Sequence, residues 1–134
     1  MKSISHRRWT AWIPALLVAT LIFVLSSIPG QELPAPAIPG FDKLAHGGIY
    51  AVLGCAVALG LHRGAGVATR GRLIALGVVA GAVYGASDEF HQIFTPHRAV
   101  EVLDGVADTI GSLIGSVVYA AWQMRRGGER RTQA

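Results

Sequence analysis

Carboxylates and imidazoles interrupt two apolar, Gly-rich stretches of this chain: Ser87-Asp88-Glu89-Phe90-His91-Gln92-Ile93-Phe94-Thr95-Pro96-His97-Arg98 and Asp104-Gly105-Val106-Ala107-Asp108. Each stretch lies in a run long enough to cross a bilayer. A charge at membrane depth is expensive and points to a working site by default. Such groups can recognise a headgroup, carry a proton, or close one end of a helix bundle as an ion cluster. A third group, Asp42, His46 and Tyr50, repeats every four residues and so falls along one side of a helix. Asp88, Glu89, Gln92, Arg98, Asp104 and Asp108 complete the candidate polar cluster. Arg98 is the expected cation for these acids, because an Arg–carboxylate pair is planar and bidentate.

The elements that must position these residues are apolar runs. Hydrophobic residues make up 51% of the 134 residues and charged residues 15%, with a mean hydropathy of +0.44. A soluble domain carries about 25% charge. The composition therefore points to an all-α polytopic membrane protein forming one domain. Four runs, about Trp9–Ile28, Lys43–Leu61, Arg72–Phe94 and Glu101–Gln123, approach or exceed the ~20 residues that span a bilayer. The gap after the first holds Pro29, Pro34, Pro36 and Pro39 and is not helical throughout. Lys2, Arg7 and Arg8 before the first run, with Ala35-Pro36-Ala37 beyond it, imitate a signal peptide. The run is long and that site lies far past its end, so an uncleaved helix is expected.

Basic residues set the orientation. Ten of the twelve lie at the N-terminus (Lys2, Arg7, Arg8), in the second gap (Arg63, Arg70, Arg72) or at the C-terminus (Arg125, Arg126, Arg130, Arg131). Only Lys43 and Arg98 lie elsewhere. Both termini are therefore expected in the cytoplasm, with the first and third gaps facing outward. Seven of the eight acids then share the outward half. The net charge of +4 suggests no nucleic-acid partner, since the arginines flank apolar runs and form no basic face.

Helical periodicity assigns faces. In the third run, Gly77, Gly81, Tyr84, Gly85, Asp88, His91 and Gln92 align, opposite Val79, Val83, Phe90, Ile93 and Phe94. In the fourth, Asp104, Asp108, Gly111, Gly115 and Trp122 align. Small residues every four positions let helices approach closely in lipid, which turns both polar faces inward. Asp42 can cap its helix, Lys43 can snorkel, and Glu101 and Asp104 complement a helix dipole. No metal signature is present and no cofactor is expected; Cys55, the lone cysteine, reads as a packed thiol.

In their order and spacing these residues resemble the VanZ-like membrane protein family across about Phe41 to Tyr119. The matching pieces are Asp42-Lys43-Leu44-Ala45-His46 with Tyr50 and Leu53-Gly54, then Asp88-Glu89-Phe90-His91-Gln92 with Phe94, Pro96 and Arg98. Asp104 with Asp108-Thr109-Ile110-Gly111 and Gly115 follows. Arg98 is commonly preceded by Gly in that family, whereas His97 stands here. Asp108 falls where the family shows Asn or Asp. The resemblance implies a small polytopic membrane protein, and the founding member is associated with reduced susceptibility to teicoplanin-type glycopeptides. Two functions follow as expectations. One is a cell-envelope protein whose outward pocket binds membrane lipid, a lipid-linked cell-wall precursor or a lipophilic antibiotic, with Arg98 and Lys43 on its anionic group. The other is an intramembrane enzyme with Asp88 or Glu89 as acid or base, His46 as proton partner and Arg98 stabilising negative charge.

Overall fold

The computed structural model describes residues 8–33 and 38–132, with side chains to residue 126. Lys2, Arg7 and Ala35-Pro36-Ala37 lie outside the described residues, as do the side chains of Arg130 and Arg131. Among the described residues the protein is all-helical. The helices are α1 (Ile13–Ser26), α2 (Phe41–Leu59), α3 (Arg70–Gln92) and α4 (Val102–Thr132). All four belong to segments long and apolar enough to cross a membrane.

Local chemistry fixes the ends. Pro14 sits in the first turn of α1, where its missing N–H is not needed. Pro29 follows shortly after the end of α1 and cannot continue it. Gly40 adopts a left-handed φ of 80° immediately before α2, a conformation without steric cost for glycine. Asp42 lies in the first turn of α2, but it does not cap the helix: Gly40 holds the cap position and no side chain bonds there. α2 runs on into a wide π turn, Gly60–Gly64, against which the Trp12 indole packs. α3 ends at Gln92, where Phe94 and Thr95 donate to the His91 and Gln92 carbonyls and Pro96 follows. α4 continues nine residues past Gln123, through Gly127 and Gly128 to Thr132.

The helices alternate in direction. One end of the bundle therefore gathers the ends of α1 and α3 and the starts of α2 and α4. The other gathers Arg8, Arg63, Arg70, Arg72, Arg125 and Arg126. We refer to these as the acidic and the basic end. α2 and α4 form the most intimate pair. A Cβ on Gly111 would strike the Gly47 backbone, and one on Gly115 would strike Ala51 O. The absence of side chains at these two positions is what permits that approach. Ser112 and Ser116, both fully buried, sit over Gly81 and Gly77 of α3. Their hydroxyls donate to Tyr50 O and Gly54 O at 3.4 and 3.3 Å. α1 closes the bundle through Ile22, which packs with Tyr50 and Leu53, and accepts the Tyr84 hydroxyl at Ala19 O, 2.6 Å away. Val79, Val83 and Phe90 of α3, with Ile93 and Phe94 just beyond its end, point outward, between 57% and 70% exposed. Trp122 is not on the buried stripe of α4. It stays 39% exposed beneath the Arg126 guanidinium, 4.3 Å from the ring centroid.

Candidate functional site

At the acidic end the first turns of α2 and α4 lie side by side, and Lys43 joins them. Its ammonium reaches Asp42 Oδ2 at 2.8 Å, Glu101 Oε2 at 2.6 Å and Asp104 Oδ1 at 2.5 Å. The three acids occupy helix N-termini, where the dipole favours negative charge. Their oxygens lie within 4.8 Å of one another, close enough to share a cation. Lys43 stands at that point. It does not snorkel away from the cluster; it is the hub.

One turn deeper, His46 Nδ1 meets Asp108 Oδ1 at 3.0 Å, with His46 Nε2 3.9 Å from Asp104 Oδ2. Asp108 is fully buried and its other oxygen rests against Gly85 of α3. Only a residue without a side chain leaves that space. Tyr50, one turn below His46, is fully buried as well, and among the described residues its hydroxyl has no hydrogen-bond partner.

The acids at the end of α3 find neutral donors. Ser26 Oγ donates to Asp88 Oδ1 at 2.5 Å, and Gln92 Nε2 donates to Oδ2 at 3.2 Å. Glu89 Oε2 accepts the Glu101 backbone N–H at 3.1 Å, an orphan donor at the entry to α4. Two acids near a helix C-terminus thus avoid the expected demand for a cation by hydrogen bonding instead.

Arg98 departs from expectation. Among the described residues it forms no ion pair with an acid. Its Nε donates to Ile28 O at 3.1 Å and its Nη2 to Leu25 O at 2.8 Å. These carbonyls lie at the end of α1 and carry the negative end of its dipole; Leu25 O also accepts the Ile28 N–H at 3.3 Å. A guanidinium at that spot satisfies both. Two more bonds reinforce the clip: Gly30 N–H to Pro96 O at 3.0 Å, and Thr95 Oγ1 to Ser26 O at 3.4 Å. His91 adds a fifth link, with Nε2 3.0 Å from Ser27 Oγ and its ring 4.7 Å from that of Phe23. The tight loop forces His97 into a left-handed φ of 56°, at the position where glycine was expected to be usual.

Between α1, α2 and α3 lies a cavity of about 300 Å³. Asp88, Gln92, His46 and Arg98 line one part of it, and Ile22, Leu25, Leu33 and Ile49 the rest. The nine sequence-predicted residues all lie at the acidic end. Five line the cavity: His46, Tyr50, Asp88, Gln92 and Arg98. Asp42, Glu89, Asp104 and Asp108 stand behind it, holding the α2–α4 and α3–α4 seams. Sequence reasoning missed Ser26, the closest partner of Asp88, and Ser112 and Ser116. A serine in an apolar span every four residues beside glycines is the signal that marks the latter two.

Residues 5–123 match the VanZ/LLP1 family. This chain belongs to the VanZ/LLP1 family. No curated protein and no solved structure matches it. The family is linked to antibiotic resistance. This VanZ/LLP1 protein carries the four apolar helices of a multi-pass membrane protein.

Proposed function

We propose that this VanZ/LLP1 protein is a cell-envelope protein, lying in the cytoplasmic membrane with both termini in the cytoplasm. Its outward-facing cavity binds the headgroup of a lipid or lipid-linked cell-wall precursor, or a glycopeptide-type antibiotic, and so lowers susceptibility. The observation that carries this reading is the two-sided lining of the cavity. Its polar part offers acceptors on Asp88 and His46, and Arg98 retains guanidinium N–H groups beyond the two spent on α1. Its apolar part, Ile22, Leu25, Leu33 and Ile49, suits a hydrocarbon chain. Lys43 has no part in contacting the ligand, since three carboxylates already surround it.

Ala45 lines the cavity and is exposed, so Ala45→Phe fills it without disturbing the bundle. The full chain is placed in nanodiscs and titrated calorimetrically with teicoplanin and with a lipid-linked cell-wall precursor. Susceptibility to teicoplanin is measured in cells carrying either form. The wild type should bind one of the two probes and alter susceptibility, and Ala45→Phe should do neither while unfolding at the same temperature. A filled cavity that binds and protects like the wild type would refute the reading. For orientation, reporters active only outside the cytoplasm should be silent at Ala134 and active near Pro36.

One observation favours a second reading, an intramembrane acid–base enzyme. His46 lines the cavity and is oriented by a fully buried carboxylate, Asp108, at 3.0 Å, which is how a general base is held. Turnover of the lipid-linked probe that disappears in His46→Gln would select this reading.

A further inference from the structure

The basic end carries a second concavity, unrelated to the site above. It is a groove of about 700 Å³ along α2 and α4. Val52, Ala56, Ile114 and Val118 form its walls, and Arg63 and Trp122 stand at its mouth. Ala51 and Gly115, where α4 settles against α2, also line it. We propose that this groove holds one acyl chain of an anionic phospholipid from the leaflet on the basic side, with the lipid phosphate on Arg63.

Dimensions support this occupant. From Ala51 to Leu59 the groove follows about 12 Å of helix at 1.5 Å per residue. One leaflet offers about 15 Å of hydrocarbon, half of ~30 Å. A chain entering at the interface can therefore lie along the length of the groove. Trp122 and the Tyr119 hydroxyl, which His62 Nδ1 reaches at 3.0 Å, mark the interfacial level.

Charge selects the headgroup. Arg8, Arg63, Arg125 and Arg126 gather at this end, and among the described residues every ion pair lies at the opposite end. No described acid competes for Arg63. The same charge argues against a second copy of this chain as the occupant. A parallel copy in the same membrane would bring its own basic end against this one, and like charges at close range repel.

The full chain is reconstituted into nanodiscs of equimolar phosphatidylglycerol and phosphatidylcholine and released into detergent. Retained lipid is counted by native mass spectrometry. The wild type should keep one phosphatidylglycerol in preference to phosphatidylcholine. Arg63→Gln should cut that preference about five-fold, the worth of one basic residue at an anionic surface. Val118→Trp, at a 58%-exposed wall position, should abolish retention by filling the groove. Arg70→Gln, outside the groove, should change nothing. Cys55 also lines the groove, so its alkylation by a membrane-permeant maleimide should slow when phosphatidylglycerol is present. The proposal is overturned if both lipids are kept equally, if Arg63→Gln or Val118→Trp retains lipid as the wild type does, or if oxidant links two chains through Cys55 with no lipid retained.

Discussion

Lys43→Met is the sharpest test of the acidic end, because it keeps the side-chain stem and removes only the ammonium. Asp42 and Glu101 keep 43% and 49% of their side-chain exposure. Water replaces much of what they lose, and each pair is worth less than about 1 kcal/mol. Asp104 is different: 9% of its side chain is exposed. Without Lys43 it is a buried carboxylate left with only His46 Nε2, 3.9 Å away, at a cost of about 3 kcal/mol. Lys43 itself is 24% exposed, which places this value at the low end of the range for broken buried pairs. The whole loss is then about 3–4 kcal/mol. Unfolding in mixed micelles, titrated with SDS and followed by helical circular dichroism, measures it. Glu101→Gln should cost no more than about 1 kcal/mol. Adding Asp104→Asn to Lys43→Met should recover most of the loss, since it removes the stranded charge. If Lys43→Met and Glu101→Gln agree within about 0.5 kcal/mol, Lys43 is no hub and the helix dipoles alone hold these acids.

Three further outcomes follow from single contacts, each read in the same unfolding assay. Arg98→Gln should destabilise by about 2 kcal/mol by stripping two charge-assisted bonds from the end of α1, and Arg98→Lys should recover less than half, lacking the planar fork. His97→Gly should stabilise by about 0.5–1 kcal/mol, the left-handed strain of a side chain less the added entropy of glycine. Tyr50→Phe should stabilise by about 1 kcal/mol, because the buried hydroxyl it removes is unpartnered; a loss of stability would mean that the hydroxyl is bonded.

Much of the architecture is written in local pattern. The apolar runs give four helices, and the alternation of glycines with Asp88 and Gln92 gives the inward face of α3, because azimuth along a helix depends only on spacing. The family is legible from polar residues in order. Pairing is not. Arg98 and the acids share one end of the bundle, and spacing places them at similar depth, but nothing local reveals that the α1 carbonyls lie closer to Arg98. Ser26 reads as an ordinary final residue of a helix, and its partner Asp88 is 62 residues away. Lys43 reads as a snorkelling residue until the start of α4 is laid beside it. The end of α4 was missed for a different reason: hydropathy marks where the membrane stops, not where the helix does.

The clip on α1 has a consequence for biogenesis. α1 is synthesised before the other three helices, yet the guanidinium that bonds Leu25 O and Ile28 O lies 73 and 70 residues further along the chain. Domains form from the N-terminus onward at ~5–20 residues per second, so these carbonyls wait several seconds for Arg98. Throughout that interval Leu25 O has only the neighbouring Ile28 N–H, and Ile28 O turns to water or lipid headgroups, which holds the far end of α1 at the aqueous boundary. The earliest made of the four helices is thus among the last to be seated, and its docking reports that the loop after α3 has reached the same end of the bundle.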